Sequence, residues 1–166
     1  MNEATGNSTM STRTTQHGSF VIERTLAATA AQVFAAWAQP AAKARWFIGP
    51  EEWRETEREF DFRIGGRERL VGVRPGGLVS TFNAVYQDIV PDQRIIYTYD
   101  MHQNETRISV SLSTVELKAE GAETRLIYTE QAVYLDEFDD AGGRERGTRE
   151  HLKRLAAMLQ RELNRT

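Results

Sequence analysis

The sequence predicts an α+β domain: a curved antiparallel sheet of about seven strands around one long C-terminal helix, with two short helices after the first strand. Three observations carry this. Between Trp53 and Tyr134 the chain alternates segments rich in β-branched and aromatic residues with short turn signals. Connections that short join antiparallel neighbours. Residues 143–164 hold one apolar stripe at helical spacing, and such a helix must lie on the sheet because nothing else remains to cover either one.

Phe20 to Leu26, FVIERTL, reads as a short strand with Phe20, Ile22 and Leu26 on one face and Arg24 among them. Thr29 and Gln32 match the S/T-x-x-E/Q capping box, and Ala30, Val33, Phe34 and Trp37 follow at helical spacing. Pro40 suits the first turn of a second helix, which Gly49 and Pro50 end. Six strands follow: Trp53 to Ile64, Arg67 to Arg74, Leu78 to Ile89, Arg94 to Met101, Arg107 to Lys118 and Glu123 to Tyr134. Gly65-Gly66 is expected to form a two-residue hairpin turn, since no phosphate-loop spacing surrounds it. Pro75-Gly76-Gly77 fits a type II turn. In the last helix Leu152, Leu155, Ala156, Leu159 and Leu163 oppose Arg149, Lys153, Arg154 and Arg161.

The 166 residues suit one domain that buries roughly 70% of its unfolded surface. A net charge of −3 gives no global case for nucleic acid or anionic membranes. Without cysteine there is no disulfide, thiolate nucleophile or cysteine metal site. His17, His102 and His151 have no metal-ligand spacing, so no metal is expected. Neither a secretory signal nor a membrane span is evident, which makes a cytoplasmic location the default. Residues 1–18, polar and poor in apolar side chains, read as a flexible and dispensable arm, leaving a single domain at 19–166.

The order of elements resembles the helix-grip fold of the START-like, or SRPBCC, superfamily. TAAQVFAAWAQPAAKARWF resembles the family's entry, FDFRIGGRERL its Asp-x-Arg-hydrophobic-Gly-Gly hairpin, and YQDIVPDQRIIYTYDM and LIYTEQAVYLD its later strands. Together they resemble the branch named for the C-terminal domain of the activator of heat-shock protein 90 ATPase, over residues 20–163. The resemblance implies a cavity between sheet and long helix, commonly apolar and used for lipids, polyketides, hormones or other small hydrophobic molecules. Many relatives carry Gly-Trp in the last helix where this chain has Gly147-Thr148, so a pocket bordered by Thr148 is expected to be larger or differently shaped.

In RIIYTYDM, alternation places Ile95, Tyr97, Tyr99 and Met101 on one face, read as inward. Trp46, Phe60, Phe62, Phe82, Tyr86, Tyr128 and Met158 could converge on the same interior, as core packing or as ligand contacts. Several buried phenols need polar partners, which a wet or occupied cavity supplies. Glu130 shares a strand face with Leu126 and Tyr128 and so calls for a partner, either a structural pair or a ligand in the pocket. Arg24, on a strand expected to neighbour it, is the candidate. His102 and Asp100 permit proton transfer but are a common juxtaposition. The acidic run DEFDDAGG and the basic excess of the last helix read as solvated faces.

Three functions follow. The first is a cofactor-free binder of a small hydrophobic molecule, a monomer or homodimer. The second is a stress-response module acting on a heat-shock ATPase chaperone, as the family name implies. The third is a cyclase or dehydratase with Glu130, Tyr97, Tyr99 or His102 as acid or base, although no residue constellation selects that chemistry.

Overall fold

The computed structural model describes residues 12–165. The elements are β1 (Thr15–Leu26), α1 (Ala30–Ala38), α2 (Pro40–Trp46), β2 (Arg54–Phe60), β3 (Arg67–Val73), β4 (Val79–Val90), β5 (Arg94–Gln103), β6 (Thr106–Glu120), β7 (Glu123–Leu135) and α3 (Ala141–Asn164). The seven strands form one antiparallel sheet in the order β1-β7-β6-β5-β4-β3-β2. Strands β2 to β7 are joined as hairpins, whereas β1 adds to the far edge beside β7 because α1 and α2 carry the chain across one end of the sheet. This is the helix-grip arrangement, and α3 is the helix it holds.

Local chemistry explains the helix starts. Thr29 Oγ1 accepts from the Gln32 backbone N–H at 3.2 Å while Gln32 Oε1 accepts from the Thr29 N–H at 2.9 Å, so the expected capping box forms. Pro40 opens α2, and Trp46 at its end donates Nε1–H to the Ala36 carbonyl at 2.9 Å. That bond and the edge-on Trp37–Trp46 contact, 4.7 Å between centroids, fix the two helices against each other. Asp140 caps α3 by accepting from the Gly143 N–H at 2.7 Å. Thr148, Leu152, Leu155, Met158 and Leu159 make its buried face, whereas Leu163 is 52% exposed.

Two expectations are corrected. The strand expected from Phe20 starts at Thr15, and Thr15 to Gly18 pair with Leu135 to Ala132 of β7. The bare Gly18 also leaves room for Ala141 at the start of α3, whose Cβ would lie 2.8 Å from an added methyl. Residues 15–18 of the expected arm are therefore edge strand, and residues 1–11 of it lie outside the described residues. The Gly65-Gly66 pair closes a six-residue loop, 61–66, rather than a two-residue turn. Gly65 has φ +81, and a Cβ on Gly66 would lie 2.1 Å from the Asp61 carbonyl oxygen. Gly65 donates to, and Gly66 accepts from, the backbone of Tyr86, which ties the loop to β4 next to its register shift. The Pro75 turn forms as expected, with Gly76 at φ +95 and Gly77 N–H donating to the Arg74 carbonyl.

Candidate functional site

Alternation along the strands brings large inward side chains to the concave face, yet α3 does not fill the space above all of them. A cavity of about 800 Å³ remains between sheet and helix. Phe82 of β4, Tyr97, Tyr99 and Met101 of β5 and Tyr128 of β7 line the sheet side. Arg144, Thr148, His151 and Leu152 line the α3 side, with Trp37, Trp46 and Phe47 at the end closed by α1 and α2. The side chain of Thr148 turns back to the helix, donating to the Arg144 carbonyl at 3.0 Å, and so contributes little bulk to the cavity.

Behind this wall lies a polar network. Glu130, fully buried on the inner face of β7, accepts at Oε1 from Tyr128 at 2.7 Å, Tyr99 at 2.8 Å and Ser113 at 3.2 Å. Its Oε2 faces Arg144 Nη1 at 4.0 Å. The Arg144 guanidinium donates to Tyr99 at 3.0 Å, Ser109 at 2.8 Å and Asp139 at 3.1 Å. Burial by itself would lower the Arg144 pKa, but Tyr99, Glu130 and Asp139 more than offset it, so the guanidinium stays charged. Burial above all, with the adjacent carboxylate adding, raises the phenol pKa of Tyr97, Tyr99 and Tyr128. These phenols are neutral donors. Tyr99 and Tyr128 already give their protons to Glu130, which leaves the Tyr97 hydroxyl to orient a bound oxygen or nitrogen, and none of the three acts as a phenolate nucleophile.

The partner proposed for Glu130 is corrected here. Arg24 pairs with Leu126, whereas Glu130 pairs with Phe20, about 13 Å along the strand at the usual rise. Arg24 stays partly exposed on the edge strand, where its head can reach water. The cation facing Glu130 is Arg144, from the helix.

Seven of the expected pocket residues line the cavity: Trp46, Phe82, Tyr97, Tyr99, Met101, Tyr128 and Thr148. Glu130 sits one layer behind, and Met158 packs in the core below. Phe60, Phe62 and Tyr86 lie elsewhere, because Phe62 has left the strand for the 61–66 loop and packs edge-on against Tyr86 at 5.0 Å and Phe34 at 5.7 Å. Their cluster surrounds a second buried pair. Lys43 Nζ lies 3.1 Å from Glu68 Oε1, Tyr86 donates to the same oxygen at 2.6 Å, and the rings of Phe47, Trp37, Trp46 and Phe60 lie 4.8 to 5.4 Å from the ammonium. Asp100 and His102 meet at 3.6 Å with Arg107 beside them, away from the cavity wall. Among the described residues no group of three or more His, Cys, Asp or Glu could hold a metal ion.

Arg144, His151, Phe47, Trp53 and Arg74 line the cavity without having been expected there. A signal existed for Arg144, since 144, 148, 152, 155 and 159 fall on one helix face. His151 packs edge-on against Phe47 at 5.0 Å. Burial, then the Arg154 charge, push its pKa down to about 4 despite the Ile48 carbonyl, so it is neutral near pH 7 and has an acceptor nitrogen. Because the folded value lies below the ordinary 6.5, unfolding takes up a proton as the pH falls. Stability is expected to be full above about pH 6.5 and to decline toward pH 4 by up to about 1.4 kcal/mol per pH unit. Urea unfolding across this range should show a shallower decline for His151→Gln; parallel profiles would remove His151 from this role.

A family described as activator of Hsp90 ATPase homolog 1-like protein matches residues 27–160. An uncharacterized protein from Rhizobium leguminosarum of known structure is 45% identical, with 90% of this chain and 99% of that one covered and a TM-score of 0.86. A protein from Rhizobium loti is 44% identical, covering 87% and 98%, with a TM-score of 0.81. A third, from Chromobacterium violaceum, is 24% identical over 85% and 96% with a TM-score of 0.72, and shares the fold. No curated protein matches the chain. With most of its length matched and two solved relatives well above 30% identity, the chain belongs to the activator of Hsp90 ATPase homolog 1-like family within the START-like superfamily.

Proposed function

We propose that the protein binds a small, mostly hydrophobic molecule in the cavity between the sheet and α3. The observation that carries this reading is the cavity of about 800 Å³, within the usual range for small-molecule sites, with an aromatic lining and a few placed polar groups. Tyr97 offers a hydroxyl donor on the sheet side, since Tyr99 and Tyr128 already donate to Glu130, and neutral His151 offers an acceptor on the helix side. A ligand oxygen or hydroxyl would be oriented between them while its apolar body lies against Trp46, Phe47 and Phe82. Lipid-like and compact aromatic molecules both suit this lining. Catalysis is the weaker reading, since Glu130 is covered by the tyrosines that donate to it and would act only through them. A cytoplasmic setting accompanies the proposal; no helix among the described residues is long and apolar enough to cross a membrane.

The family description supports a second reading, a surface that engages a heat-shock ATPase chaperone. The outer face of the sheet favours it to the extent that Val21, Val110 and Leu112 are exposed there. Native mass spectrometry separates the two. The expected result is a bound species of a few hundred daltons, co-purified or taken up from an added apolar dye, and lost on denaturation. Failure to retain any such molecule would favour the surface.

A further inference from the structure

The two arginines that line the cavity differ in what holds them. Arg144 is committed to Asp139, Ser109 and Tyr99 and faces Glu130, so its charge is already balanced by protein groups. Arg74 has no such partner. It follows β3 at the rim, where the Pro75 turn anchors its backbone: its N–H donates to Leu78 and its carbonyl accepts from Gly77, each at 2.9 Å. Its guanidinium lies over the Trp53 ring, 4.6 Å from the centroid. Its Nε is buried without an acceptor, and no hydrogen bond or ion pair joins the guanidinium to any described residue.

The platform beneath it is built. Trp53 also lines the cavity and is accommodated by two glycines, since a Cβ on Gly49 would lie 3.1 Å, and one on Gly72 3.4 Å, from the same indole carbon. Contact with the indole restrains the guanidinium before anything binds, which lowers the ordering entropy of engaging an anion. The carboxylates nearby do not neutralise it. Glu55 is paired with Arg58 at 2.6 Å, and Glu51 is exposed on the rim, where water screens its charge.

We propose that the cavity's ligand is a small amphipathic acid, its carboxylate held by Arg74 at the rim and its apolar body laid inward between the sheet and α3. This rests on the binding function proposed above and narrows its ligand class. A carboxylate matches the guanidinium fork and supplies the acceptors that the protein withholds. Inward from it, Phe47, Phe82 and Met101 favour a hydrocarbon or aromatic body, and a second polar group would meet Tyr97.

The test is displacement of a bound neutral dye, N-phenylnaphthylamine, by decanoate and by decanol, which differ at the head group alone. Wild-type protein is expected to prefer the acid, and Arg74→Met to weaken decanoate by about tenfold, the scale of one charge-assisted hydrogen bond, while decanol changes less than about twofold. Arg74→Lys should keep part of the preference through charge alone. Equal displacement by acid and alcohol in the wild type would overturn the proposal, as would an acid preference that survives in Arg74→Met. If the dye is not taken up at all, the binding reading itself fails, and this inference with it.

Discussion

Glu68→Leu is expected to destabilise the protein by about 3–5 kcal/mol, the range for breaking a buried ion pair from one side. Lys43 and Glu68 have side chains 4% and 2% exposed, so neither charge can turn to water. Burial already lowers the pKa of Lys43, and Glu68 is the group that pulls it back up. Without Glu68, burial and the Arg58 charge both favour the neutral amine, and the aromatic rings around it compensate only in part. Tyr86 loses its acceptor as well. The double variant Lys43→Met/Glu68→Leu removes both charges and should recover most of the loss, because apolar replacement of a buried pair is often neutral or stabilising. Urea unfolding of the three variants decides the matter: a double variant as unstable as Glu68→Leu would mean that the loss is one of packing.

Glu130→Leu carries an expected loss of similar size, about 3–5 kcal/mol, since it strips the acceptor from three hydroxyls and the counter-charge from Arg144 in a closed interior. Coupling distinguishes the partner. In a double-mutant cycle, Arg144→Met and Glu130→Leu should be non-additive by at least about 0.5 kcal/mol, whereas Arg24→Met and Glu130→Leu should add within about that margin. Additivity in the first cycle and coupling in the second would restore Arg24 as the partner.

The sequence carried the order of elements because each rests on local chemistry: the Thr29 and Gln32 cap, Pro40 at a helix start, the Pro75 turn, and alternation that set Tyr97 and Tyr99 inward. What it could not carry was chemistry joined over long separations. Glu130 reads as an inward carboxylate from alternation alone, but choosing between Arg24 and Arg144 needs the register of β1 on β7 and the helix placed over both. Strand β6 inverts the usual alternation. Its serines at 109, 111 and 113 face the interior while Val110 and Leu112 are exposed, the reverse of the usual pattern. The inversion makes sense once Arg144, Tyr128 and Glu130 are seen to need hydroxyl partners there. Nothing in the local sequence marks Lys43 as buried; its contacts with Glu68 of β3 and Tyr86 of β4 do. Phe60 and Phe62 were misplaced because the chain leaves β2 at Phe60, four residues before the end expected for that strand.

The central claim is that the space between the sheet and α3 is a binding cavity, and titration of N-phenylnaphthylamine into wild-type protein and Thr148→Trp tests it most directly. Thr148 lines the cavity from α3, and an indole there would project into the space that the threonine leaves open. The account predicts saturable fluorescence enhancement in the wild type and at least about a tenfold weaker affinity in Thr148→Trp, the scale of losing a buried apolar contact area, with thermal unfolding still cooperative. Equal dye binding by the two folded proteins, or none by the wild type, would contradict it.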